Sequence, residues 1–226
     1  VVTWILRSPW LTGMLGELRV NRALRSNLEP EEYRLFADLT LPSGDGTTQI
    51  DQILVSRFGI FVIETKNMKG WIFGSGDQPL WTQVIYRWKS KFQNPIRQNY
   101  KHVRAVQELL HLEGGKIHSV VVFVGSATFK SGVPNGVMWG VQPLIGFIES
   151  KRIAVLDDDE LQAVIGRLSE KRLRSTLLRR RAHVHHVRSK IANKHSGASN
   201  CPRCGVTMVE RTNRQSGSRV VSHWRV

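Results

Sequence analysis

One segment, residues 47–70 with the sequence TTQIDQILVSRFGIFVIETKNMKG, restricts the fold more than any other part of the chain. Apolar and more polar residues alternate on both sides of a tight turn at Arg57-Phe58-Gly59. This alternation is typical of half-buried strands, and the short turn is typical of a hairpin. The segment therefore predicts two antiparallel strands, roughly 48–56 and 60–66.

This hairpin brings two carboxylates and a lysine together. In the register that such a turn imposes, Asp51 lies directly across from Glu64, with Cβ atoms about 5 Å apart. Lys66 follows on the same face as Glu64, because side chains alternate along a strand. Two carboxylates this close repel each other unless a cation lies between them, and hard oxygen ligands suit Mg²⁺ or Mn²⁺. We expect Lys66 to orient or deprotonate a water beside the metal, or to stabilise charge on a phosphate.

A solvated sheet face with a cross-strand ion pair is the alternative interpretation of these three residues. Their neighbours on the predicted face are apolar, for example Ile53 and Val62. The charges would therefore end an otherwise buried surface, where unpaired carboxylates are costly. Metal binding would offset that cost, which favours a functional site.

Patterns elsewhere predict a mixed α/β domain over residues 10–172, with strands between an early helix and later helices. The early helix covers about 12–28, and a second helix opens at Asn94-Pro95 with the asparagine as its cap. HSVVVFV, at residues 118–124, is typical of a strand buried on both faces. We predict a further strand over Trp81–Trp88.

Both helices carry candidate site residues. Glu17 lies on or beside the apolar stripe of the first helix, either at the site or as a first-turn glutamate favoured by the helix dipole. Gln98 and His102 share a face of the second helix. We favour a surface position for His102.

Three tryptophans, Trp71, Trp81 and Trp88, follow the hairpin. Each ring can stack on a nucleobase or pack in the core. We favour core packing.

The positive charge is concentrated near the C-terminus. The net charge is +15, of which residues 151–226 contribute +11, from 17 Lys and Arg against six Asp and Glu. This excess predicts a nucleic-acid partner, with a solvated tail or a membrane surface as the alternative. The opening residues, VVTWILRSPW, fit neither a secretory signal nor a membrane span. With only two cysteines in a C-x-x-C pair, we expect a cytoplasmic protein.

The segments GELRVNRAL, TQIDQILVSRFGIFVIETKNMKGWIFG and NPIRQNYKHVRAVQELL together resemble the nuclease-related domain family, a branch of the PD-(D/E)xK nuclease superfamily. The resemblance implies a restriction-endonuclease-like mixed β-sheet flanked by helices. It also implies a site of Asp51, Glu64, Lys66 and Glu17, with Gln98 as a supporting polar group. Asp51, Glu64, Glu17 and the backbone carbonyl of Thr65 would hold the metal. Gln52 stands where many such sequences have histidine, and its side chain faces away from the site.

The C-terminal segment resembles the start of a topoisomerase-type zinc ribbon. Cys201 and Cys204 would supply two zinc ligands of the four that a structural site needs. His223, His195 or the histidines at 183–186 are candidates for the others, but a basic arm without zinc is the interpretation we favour. We expect a basic, histidine-rich linker over 173–200 and a partial ribbon over 201–226.

These observations predict a Mg²⁺- or Mn²⁺-dependent nuclease that hydrolyses phosphodiester bonds in DNA. The alternative is a nucleic-acid-binding module that keeps a nuclease-like fold without catalysis.

Overall fold

A computed structural model describes residues 9–44, 46–112, 114–171, 209–212 and 219–222. The chain separates into two compact units, Val1–Arg174 and Ser175–Val226. In the second unit, strands Val209–Thr212 and Arg219–Ser222 pair antiparallel. Within the described part of the chain, no helix has the length and apolar character needed to cross a bilayer.

The first unit contains four α-helices and seven strands among its described residues. The helices are α1 Pro9–Asn27, α2 Pro95–Leu110, α3 Val141–Glu149 and α4 Asp158–Lys171. The strands are β1 Arg34–Ser43, β2 Gly46–Ser56, β3 Gly59–Phe73, β4 Leu80–Ile85, β5 Trp88–Gln93, β6 Ile117–Phe129 and β7 Val137–Trp139.

All seven strands join one mixed sheet. Strands β1 to β5 follow each other as antiparallel neighbours, while β6 pairs parallel with β3, and β7 pairs parallel with β6. The parallel pair of β3 and β6 is the centre of the sheet. Residues Val120 to Val124 of β6 are buried, as the continuous apolar run predicts.

Helices cover both faces of this sheet. On one face, Val106 of α2 and Leu168 of α4 pack with Ile53 of β2. On the other, Leu24 of α1 and Leu144 of α3 pack in a second core cluster. The predicted mixed α/β fold is confirmed, with helices packed on a predominantly antiparallel sheet.

The region after β3 differs from the prediction. A single strand over Trp81–Trp88 is wrong, since the chain turns at Tyr86 and Arg87 and returns as β5. Tyr86 adopts a left-handed backbone conformation, with φ of 53°, which lets a non-glycine residue make this turn. Core packing is confirmed for Trp81, which is fully buried, and is wrong for the other two, because Trp71 is 53% exposed and Trp88 is 73% exposed.

Candidate active site

The site lies where β2 and β3 separate. Their ladder runs from Ser56↔Gly59 to Gln52↔Ile63, which is the predicted register, and Asp51 and Glu64 are the next residues beyond its last pair. From Glu64 onwards β3 continues beside β6. Both carboxylates therefore stand at a fork in the sheet, where strand pairing no longer uses every backbone group.

Asp51 also interrupts the neighbouring ladder. The pairing of β1 with β2 passes from Ala37↔Gln52 to Leu39↔Ile50 without including Asp51. Opposite it, Asp38 has a left-handed φ of 61°. The strict alternation predicted for β2 breaks here, because Ile50 packs in the same core cluster as Ile53. Local kinks of this kind re-aim a side chain.

The Asp51 carboxylate accepts a hydrogen bond from a backbone amide at the fork. The amide of Thr65 donates to Asp51 Oδ2 at 2.8 Å. The pKa of Asp51 is raised well above its usual range, mainly by burial, next by the charge of Glu64 and then by that of Glu17. The Thr65 amide and Lys66 oppose this shift more weakly. All three predicted carboxylates are thus coupled electrostatically, and burial together with their repulsion disfavours the ionised form of Asp51.

Glu64 is held at both of its oxygens. Its side chain is buried, with Oε1 2.6 Å from Lys66 Nζ and Oε2 3.2 Å from His102 Nε2. Burial alone would raise the pKa of Glu64, but Lys66 and then His102 outweigh it, and the pKa of Glu64 is lowered. Because an ionised carboxylate only accepts hydrogen bonds, the Nε2 of His102 is the donor.

Helix α2 forms the wall behind these groups. Gln98 accepts a hydrogen bond from Lys66 Nζ at 3.1 Å, so the predicted supporting residue reaches the lysine. Asn99, which is buried, donates to the carbonyls of Val62 and Val120 and fixes the helix against the central strands. Asn94 caps the helix as predicted, accepting from the amide of Ile96.

The profile of one protein family, the nuclease-related domain, matches residues 12–124, which is half of the chain. The chain belongs to the nuclease-related domain family. An uncharacterized protein of Bacillus anthracis is 48% identical over 103 residues, which are 45% of this chain and 48% of that relative. The chain thus spans about half the length of this relative.

Every residue of the network just described lies within the matched nuclease-related domain. The match includes Glu17, Asp51, Glu64, Lys66 and Gln98. The buried His102 is also inside it.

The surface position favoured for His102 in this nuclease-related domain is wrong, because the residue is 4% exposed. Its second ring nitrogen, Nδ1, lies 2.9 Å from Thr48 Oγ1. The sequence signal for His102 was its helical spacing with Gln98. Thr48 had no sequence signal, because its role depends on where α2 packs.

The side chains fit a hard cation by their chemistry. Asp51, Glu64 and Glu17 offer oxygen ligands, and burial with the nearby carboxylates raises the pKa of Asp51, an effect that a bound cation would oppose. Among the residues that the structure describes, no group of three or more acidic, histidine or cysteine side chains is already arranged to hold a metal. Lys66 and His102 occupy the oxygens of Glu64 in this arrangement.

On the opposite side of β3, Thr65 Oγ1 donates to Gln52 Oε1 at 2.9 Å. Gln52 is fully buried, and its contact with Thr65 positions the strand behind Glu64 and Lys66. The cysteines of the proposed zinc ribbon, Cys201 and Cys204, lie outside the described residues.

Proposed function

We propose that this nuclease-related domain is a metal-dependent nuclease that hydrolyses phosphodiester bonds in DNA. The observation that carries the proposal is the meeting of Asp51, held by the Thr65 amide, with Glu64 and Lys66 at a fork walled by α2. A sheet face built only for stability would pair its buried charges, because an uncompensated one is costly.

The residues fit one or two Mg²⁺ or Mn²⁺ ions, held by Asp51, Glu64, Glu17 and the carbonyl of Thr65. When bound, such an ion lowers the pKa of a water and stabilises charge on the phosphate. Lys66 is oriented by Gln98 and brings a positive charge to the attacking water or the scissile phosphate.

Other groups of the chain position this machinery. The Nε2 of His102 holds one oxygen of Glu64, and Thr48 fixes the ring from behind. The Thr65 amide holds Asp51. We assign these contacts to orientation, since each fixes the direction of a carboxylate.

We further propose that the chemistry belongs to residues 10–172 and that the linker 173–200 is a nucleic-acid arm. The linker carries seven Lys and Arg and no Asp or Glu, so it attracts phosphates without regard to sequence. Zinc binding at Cys201 and Cys204 and a cytoplasmic location are further proposals, which rest on the cysteine pattern.

A nucleic-acid-binding module without turnover is the second candidate. The ion pair between Lys66 and Glu64 favours it, because that pair competes with metal binding at the same oxygen. The basic C-terminal third would supply affinity in either case.

A cleavage assay separates the two candidates. The full chain is incubated with linear, circular, branched and single-stranded DNA, and with RNA, in Mg²⁺, in Mn²⁺ and in chelator. The nuclease proposal expects cleavage of DNA only with a divalent metal. Salt-sensitive binding of DNA without cleavage in either metal would favour the binding module instead.

A further inference from the structure

The sheet carries an exposed surface of aromatic and basic residues beyond the candidate active site. In the strand register, Trp71 of β3 pairs with Val84, which pairs with Lys89 of β5. The next row is Phe73, Thr82 and Lys91. Because directly paired residues share a sheet face, these rows form one surface. We call this surface, with Lys69 and Tyr86, the aromatic-basic face.

A pocket of about 450 Å³ opens on this face. Trp71 and Tyr86 are two of its lining residues, and Lys69 is a third. Pockets of this size accept small organic ligands. Tyr86 is 96% exposed, so its ring serves no packing purpose in the described part of the chain.

Gly70 is required for the floor of this pocket. Its φ is 81°, and a Cβ atom there would lie 2.3 Å from the carbonyl oxygen of Val84. Only glycine lets β3 and β4 approach this closely. Gly70 itself lines the pocket.

The charge around the pocket has one sign. Lys69 lines the pocket, no residue of its lining is acidic, and Lys89 and Lys91 stand in the paired rows beside it. The ammonium of Lys130 lies 4.9 Å from the centre of the Trp71 ring. A ligand that suits this surface therefore carries negative charge and a flat ring.

Strand β3 carries both the aromatic-basic face and the candidate active site. The ladder with β2 stops at Ile63 and the ladder with β4 starts at Trp71, so the intervening stretch of β3 is paired with β6 alone among its neighbouring strands. Trp71 follows Lys66 by five residues, which is roughly 16 Å of strand, and this odd spacing places the two side chains on opposite faces of β3. A nucleic-acid strand that occupied both sites would therefore pass around the edge of β3 between the two ladders.

We propose that this pocket binds an unpaired nucleobase of a nucleic-acid strand whose neighbouring phosphates contact Lys69 and Lys130. An aromatic ring stacks on any base whose face is free. In a paired duplex those faces are covered by neighbouring bases, so the pocket selects single-stranded or locally unpaired substrate. The claim that the pocket selects the substrate rests on the proposed nuclease function. The claim that the pocket binds an unpaired base does not depend on catalysis.

The test compares binding of a labelled single strand and of a blunt duplex, by fluorescence anisotropy with the full chain. Chelator prevents cleavage, and about 0.2 M salt weakens the contribution of phosphate contacts. The variants are Tyr86→Asn, which suits a left-handed backbone, and Trp71→Ala. Tyr100→Ala is the matched control, because Tyr100 is also exposed, at 63%, and lies outside the pocket. DNA and RNA strands form separate arms.

Each pocket variant is expected to weaken single-strand binding by about fivefold or more, the effect of losing one stacked base. Duplex binding stays as in wild type, and Tyr100→Ala changes neither. Unchanged single-strand binding with both DNA and RNA overturns the inference, as does an equal loss for strand and duplex. Sedimentation supplies another refutation: if Tyr86→Asn splits a dimer formed without nucleic acid, the face is a contact between copies of this chain. Should Trp71→Ala fail to fold, Tyr86→Asn alone decides.

The same strands, incubated with Mg²⁺ or Mn²⁺, keep the two proposals separate. Selective loss of single-strand binding without cleavage by wild type supports the pocket and contradicts the nuclease. Cleavage by wild type with unchanged binding in the pocket variants supports the nuclease and contradicts the pocket.

Discussion

Replacement of His102 by alanine tests the arrangement of the buried network most sharply. His102 donates to the charged Glu64 at 3.2 Å and lies 2.9 Å from the hydroxyl of Thr48. A hydrogen bond to a charged group contributes about 1.5–3 kcal/mol, and one between neutral groups about 1 kcal/mol. The variant should therefore lower the free energy of unfolding by about 3 kcal/mol, from the loss of both bonds.

A double-mutant cycle isolates the two contacts. Thr48→Val should cost about 1 kcal/mol in the wild-type background and close to nothing in His102→Ala, because its partner is already gone. The assay is urea unfolding followed by circular dichroism, with the slope of the transition checked for constancy. His102→Gln, which can still donate to Glu64, should retain part of the stability.

Two results would refute this reasoning. One is a His102→Ala variant whose stability equals that of the wild type, since a residue at the surface would behave in this way. The other is a full Thr48→Val effect in the His102→Ala background, which would mean that the threonine acts through another group.

Three further perturbations follow from the fork and its supports. Asp51→Asn should stabilise the chelator-treated protein by about 0.5–2 kcal/mol at neutral pH. Burial and then Glu64 raise the pKa of Asp51, so the folded state binds the proton more tightly than the unfolded chain. The wild-type protein therefore loses stability as pH rises from the unfolded pKa of Asp51 to its higher folded pKa. The gain should vanish in acid, and a gain that does not depend on pH would contradict the assigned cause. Asn94→Ala should lower the free energy of unfolding by about 2–3 kcal/mol, and with it the melting temperature, because the Asn94 side chain caps α2 and donates to loop carbonyls. Asn94→Ser keeps a cap acceptor and should lose less stability. Gly70→Ala should lower the free energy of unfolding by about 1–3 kcal/mol, because its methyl group would meet the backbone of Val84. A melting temperature equal to that of the wild type would contradict the close contact between β3 and β4 at Gly70.

Local rules were sufficient for the hairpin of β2 and β3. A tight turn at Arg57 and Phe58 and alternating side chains fix the register, which ends at Gln52 and Ile63, so that Asp51 and Glu64 follow directly after its last pair. The cap at Asn94 and the buried strand β6 follow from equally local patterns.

Tertiary contacts decided what the sequence did not reveal. The burial of His102 depends on Thr48 and Glu64, which are remote in the chain, so a helical pattern alone could not distinguish core from surface. The turn at Tyr86 lacks the glycine or asparagine that usually marks a hairpin. The exposure of Trp88 follows from the edge position of β5, which no single-residue preference predicts.

The placement of Glu17 depended on the family resemblance more than on periodicity. Its helix packs against β3 chiefly through apolar residues such as Val20, while the carboxylate acts electrostatically on Asp51. The break in alternation opposite Asp38 likewise has no clear sequence signal, because aspartate occurs in both extended and left-handed conformations and its identity alone does not select one.

The most direct test of the central claim is metal-dependent cleavage of DNA by Asp51→Ala and Lys66→Ala, with Lys101→Ala, at an exposed position of α2, as the matched lysine control. All three are first shown to be folded. We predict that both site variants lose cleavage by about 100-fold or more, the usual effect of removing a group that stabilises transition-state charge. Lys101→Ala should keep wild-type cleavage. Wild-type cleavage by both folded site variants would contradict the account.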